Sequence, residues 1–157
     1  MYAVCGHDGS NRLSSVERYD EDKNQWEAVV SMDSARDGVG VCVLGGRMYA
    51  VGGFGGSNFF SSVERYDEDK NQWEAVASMN SARSSVGVCV LSGRMYAVGG
   101  YDGSNVLSSV ERYDEDKNQW EAVASMDSAR WIAGATLIPP SFAESTGLCM
   151  GEALSLD

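Results

Sequence analysis

Few residues in this sequence could do covalent chemistry. The 157-residue chain has one histidine, His7, and four scattered cysteines, Cys5, Cys42, Cys89 and Cys149. One histidine beside one cysteine does not complete a four-ligand zinc site, and a nucleophilic triad would have to rest on a terminal loop residue. Gly52-Gly53-Phe54-Gly55-Gly56 is glycine-rich but lacks the Lys-Ser/Thr of a phosphate-binding loop. The carboxylates cluster in polar turns such as Asp20-Glu21-Asp22, where solvent holds them ionised. No enzyme, cofactor or metal site is expected. What remains is recognition chemistry, in which arginines and aromatic side chains suit a protein or peptide client.

The charge balance narrows the client. Twelve Lys+Arg against 23 Asp+Glu give a net charge of −11, which disfavours nucleic acid. No stretch of about 18 apolar residues predicts a membrane span, and the first residues do not resemble a signal peptide. Sparse cysteines and the lack of a glycosylation sequon are the pattern of a cytoplasmic protein with reduced thiols.

A repeat positions the recognition residues. The segment Val16 to Val29 (VERYDEDKNQWEAV) recurs at Val63 and again at Val110, a period of 47 residues. The units are 1–47, 48–94 and 95–138, and 139–157 forms a non-repeating tail. That period admits helical repeats as well as propeller blades. Short β-branched and aromatic runs (39–44 and 47–52) joined through Gly45-Gly46 argue for strands. So do the strand-ending Gly52-Gly53 and Gly99-Gly100 doublets. Each period predicts four strands, lettered A (39–44), B (47–52), C (61–66) and D (72–77), with the same pattern one unit on. Trp26, Trp73 and Trp120, with Tyr19, Tyr66 and Tyr113, are expected to fill the space between units.

Tyr96-Ala97-Val98-Gly99-Gly100-Tyr101-Asp102-Gly103 followed by Val110-Glu111-Arg112-Tyr113-Asp114 resembles the kelch repeats of BTB-kelch (kelch-like) proteins. The resemblance covers about residues 1–138 and implies an all-β fold, a kelch β-propeller segment with one four-stranded blade per repeat. Propellers have about four to eight blades, whereas this chain is expected to supply twelve strands, or three blades' worth, an incomplete ring. Its last strand is expected within 131–138. One reading is a fragment with exposed blade faces. The other is a two-fold homodimer completing a six-bladed ring, with 133–138 of one chain serving as strand A of the partner's first blade.

Alternation of strands places the B–C and D–A loops on one rim, and the A–B and C–D turns on the other. Units one and two differ at ten positions, and eight lie on or beside the first rim: 5/52, 7/54, 8/55, 12/59, 13/60, 33/80, 37/84 and 38/85. Divergence on one rim suits a client-facing side, with drift in the longer loops as the alternative. The candidate binding residues are His7, Asp8, Arg12, Arg36, Asp37, Phe54, Phe59, Phe60, Arg83, Ser84, Tyr101, Asp102, Arg130 and Trp131. Arg36, Arg83 and Arg130 recur unchanged, which equally suits bridges between blades. The resemblance implies a non-enzymatic module that recognises substrates for a cullin ubiquitin ligase, although the chain carries no match to the BTB and BACK portions. Actin binding, or a recently duplicated or artificial repeat protein with no client, are the alternatives.

Overall fold

A computed structural model describes residues 1–131 and Ala135. The last expected strand and the tail therefore lie outside the described residues. The eleven elements are all strands: β1 (Tyr2–His7), β2 (Arg12–Asp20), β3 (Gln25–Val29), β4 (Gly40–Leu44), β5 (Arg47–Val51), β6 (Val63–Asp67), β7 (Gln72–Val76), β8 (Gly87–Leu91), β9 (Arg94–Val98), β10 (Val110–Asp114) and β11 (Gln119–Val123). They form antiparallel meanders β1-β2-β3, β4-β5-β6-β7 and β8-β9-β10-β11, hereafter blades 1, 2 and 3. The all-β propeller-segment expectation is met, and its boundaries shift by only one or two residues. No helix of the described residues is long and apolar enough to cross a membrane.

Each element follows from its residues. The VERYD and QWEAV segments pair so that Tyr66 faces Trp73 and Val63 faces Val76 across β6 and β7. Their rings lie 5.2 Å apart, and the tyrosine hydroxyl donates to Asn71 Oδ1 at 2.8 Å. Asn24, Asn71 and Asn118 hold left-handed φ of 52°, 50° and 48°, a conformation asparagine tolerates at a tight turn.

The central strand shows why a blade cannot stand alone. In β5, Ala50 packs with Val16 and Met32 of blade 1. The alternating Tyr49 and Val51 pack with Met95, Tyr113 and Trp120 of blade 3. A strand apolar on both faces needs a neighbour on each side. Blades 1, 2 and 3 stack in sequence order, and Trp73 and Trp120 fill the two junctions as expected, whereas Trp26 is exposed on blade 1. Trp73 Nε1 donates to Val30 O at 3.2 Å, and Trp120 Nε1 donates to Ala77 O at 2.9 Å.

Candidate partner-binding rim

The connection between blades fixes the rim. After each D strand the chain crosses to the next blade and pairs briefly with its B–C loop. Asp37 exchanges backbone hydrogen bonds with Phe54 at 3.0 and 2.8 Å, and Ser84 with Tyr101 at 2.9 Å each way. Phe54 also bridges to Phe59, and Tyr101 to Val106. These short ladders place Phe54, Phe59 and Tyr101 on one rim. Gly52 permits the crossing. Its φ of +66° and its closeness to the Arg83 carbonyl leave no room for a Cβ.

The rings form a continuous aromatic ladder. Phe54 stacks on Phe59 at 4.6 Å, Phe59 meets Tyr101 edge-on at 5.4 Å, and Tyr101 lies 4.9 Å from Trp131. The Arg12 guanidinium caps one end, 4.6 Å from the centre of the Phe54 ring. Trp131 closes the other end and is 55% exposed. Arg12 and the exposed Arg130 have no carboxylate partner among the described residues. The ladder thus joins three blades, with the Arg12 guanidinium at one end and Trp131 at the other.

Other predicted residues take different places. Phe60 lies under the rim, its ring 4.8 Å from the Arg36 guanidinium. His7 is exposed at the end of β1, with Nδ1 accepting from Gly9 N at 2.9 Å. Asp8 and Asp102 shape their own loops. Asp8 Oδ1 accepts from the Ser10 and Asn11 amides, and Asp102 Oδ1 from those of Ser104 and Asn105. Those backbone donors hold both carboxyls below the usual aspartate range. Ser84 is buried, and Asp37 is half-buried.

Arg36 and Arg83 require correction. They are 2% and 0% exposed, so neither can meet a client. The Arg83 backbone belongs to blade 2, donating to Phe60 O and accepting from Gly53 N. Its side chain enters blade 3, where Nη1 donates to Gly99 O and Ser109 O at 2.8 and 2.9 Å. Nη2 donates to Ser109 Oγ and Glu111 Oε1 at 2.8 and 3.0 Å. Arg36 repeats this from blade 1 into blade 2, ending on Glu64 at 2.6 Å. The bridging alternative describes both. Burying a guanidinium requires acceptors for its donors, and strand-end carbonyls, a serine and a glutamate supply them for all three nitrogens of Arg83 and for both Nη of Arg36.

The junction partners Ser62, Ser109, Glu64 and Glu111 escaped the sequence reading, although they recur at the same spacing as the arginines. Val106, 39% exposed beside Tyr101, is the rim residue that was missed. Its signal was available, since positions 12, 59 and 106 are Arg, Phe and Val.

The unchanging C–D turns on the opposite rim have a packing role. Tyr49 Oη donates to Glu115 Oε1 at 2.8 Å, and Asn118 Oδ1 accepts from Ala77 N at 2.9 Å. The second and third turns therefore clamp the preceding blade.

The comparisons agree with this architecture. The Kelch motif matches residues 1–33, 35–80 and 82–127. The chain belongs to the kelch-repeat family, whose repeats form protein-interaction modules. It is similar to human Kelch-like protein 5, at 52% identity over 40 residues, which are 25% of this chain and 5% of that protein. Among solved structures it resembles that of YjhT, with a TM-score of 0.67 and 15% identity over 79% of this chain and 51% of the other. At that identity the likeness concerns the fold alone.

Proposed function

We propose that the aromatic rim binds an acidic peptide segment of a client protein and that the chain acts through binding, without catalysis. The observation that carries this reading is the ladder from Arg12 through Phe54, Phe59 and Tyr101 to Trp131. Stacked rings offer broad apolar contact at low entropic cost, and the Arg12 guanidinium at its end matches a client carboxylate. Its kelch-like resemblance suggests the role of client recognition for a cullin ubiquitin ligase, in the cytoplasm.

Selection from a displayed peptide library, followed by calorimetry, tests the rim. Recovered peptides should be acidic. Phe59→Ala and Arg12→Ala should each weaken binding by about tenfold or more, the effect of truncating an interface anchor. Glu68→Gln, on the opposite rim, should leave affinity unchanged. Equal binding by Phe59→Ala and the parent chain would refute the assignment. Actin co-sedimentation unaffected by the rim substitutions would instead favour the cytoskeletal alternative.

A further inference from the structure

The two blade junctions act as internal templates for a third. At each, the earlier blade contributes a carbonyl to the next blade's tryptophan and an arginine to its buried glutamate. It also sends a tyrosine hydroxyl to the next C–D turn, Tyr2 to Glu68 Oε1 and Tyr49 to Glu115 Oε1. The later blade's tyrosine and tryptophan complete the seam.

Both outer faces of the stack carry half of this arrangement. On blade 1, Trp26 is 46% exposed where Trp120 is 8% exposed, and Glu17 is exposed where Glu64 and Glu111 are buried. On blade 3, Leu91 is 43% exposed where its counterpart Leu44 is 4% exposed. Arg130 is also exposed, although its backbone is held as that of Arg83 is, donating to Leu107 O and accepting from Gly100 N. The guanidinium is thus presented by the loop that buries it elsewhere, with no glutamate bound to it among the described residues.

We propose that the outer face of blade 3 docks on the outer face of blade 1 of a second copy of this chain. Made twice about a two-fold axis, this contact joins six blades into a closed ring. Arg130 takes the place of Arg83 and reaches Ser15 and Glu17 of the second copy. Trp26 Nε1 donates to the Ala124 carbonyl, and Tyr96 Oη donates to Glu21. The units differ so little that each of these named partners is of the same residue type as in an observed junction, except that Cys5 stands where Gly52 and Gly99 do; blade 1 has three described strands, so the strand corresponding to β8, which packs on β4, has no described counterpart there. A second copy is therefore the occupant whose chemistry matches both faces at once. This inference is independent of the client rim, because a ring that forms without binding peptide and a peptide that binds a monomer are separate results.

Sedimentation of the full chain at micromolar concentration, with circular dichroism to follow the fold, tests it. The expected species has twice the 16.9 kDa chain mass. Glu17→Ala and Trp26→Phe alter groups that a single copy leaves exposed. Each should keep the β-sheet spectrum, and Glu17→Ala should weaken dimerisation by about a hundredfold, because Arg130 would enter the seam unpaired. Trp26→Phe removes only the indole donor and should cause a smaller loss. A folded parent monomer, an open-ended series of larger species, or dimerisation unaffected by either substitution would overturn the proposal. If Glu17→Ala loses its fold, the Trp26→Phe result decides alone.

Discussion

Two junctions built from nearly the same residues differ in how well they satisfy a buried carboxylate, and one substitution should equalise them. Glu111 is fully engaged. Its Oε2 accepts from Asn80 N and Nδ2 at 2.7 and 2.9 Å, and its Oε1 from Ser81 N and both Nε and Nη2 of Arg83. At the other junction Asp33 stands where Asn80 does, and a second carboxylate has no amide hydrogen to give. Glu64 Oε2 and Arg36 Nε are buried there without partners. Leaving a buried acceptor unsatisfied costs about 1–3 kcal/mol. Asp33→Asn supplies the missing donor and removes a like charge, and should raise stability by about 1–2 kcal/mol. For a chain of this size that corresponds to a melting temperature roughly 3–6 °C higher. The converse, Asn80→Asp, should lower it by a similar amount. Thermal denaturation followed by near-ultraviolet dichroism reads both. If Asp33→Asn is neutral or destabilising, the account of the unsatisfied Glu64 fails.

Two further outcomes follow from the same buried groups. Arg83→Ala strands Glu111 inside blade 3 and should cost about 3–5 kcal/mol, a large share of a typical domain's stability; a melting point within about 2 °C of the parent would contradict the bridging role. Burial pushes the Cys42 thiol from 9.0, and burial with the bond to Glu115 pushes the Tyr49 phenol from 10.0, each up to about 12. Both groups are held neutral by the fold and ionise more readily unfolded. Stability should therefore be intact below pH 9 and decline as pH rises toward 12. Tryptophan emission against pH should show the transition moving upward in Tyr49→Phe, and an unchanged midpoint would exclude Tyr49 as a driver.

The sheet was legible in the sequence because its signals are local. Alternating apolar residues, the Gly45-Gly46 turn and the strand-ending glycines each act within a few residues, and β4 to β7 lie within two residues of their expected bounds. The rings of the rim were legible through divergence, since positions 54, 59 and 101 vary between units. Arg36 and Arg83 were not resolved, because their surroundings come from a different blade. An arginine in a variable loop has the composition of a binding residue. Only its repetition in step with Ser62, Ser109, Glu64 and Glu111 distinguishes a cation that enters the next sheet from one that faces solvent.

The arginine bridges run one way, from each unit's trailing loop into the interior of the unit that follows. Every unit thus carries both a plug for its successor and a socket for its predecessor. A whole 47-residue cassette inserted or deleted in frame would meet a fitting joint on both sides, whereas a partial one would strand an ion inside a sheet. Recombination between copies can therefore lengthen or shorten the array in entire steps without redesigning any seam, and the length of such a chain becomes a heritable variable separate from the chemistry of its loops.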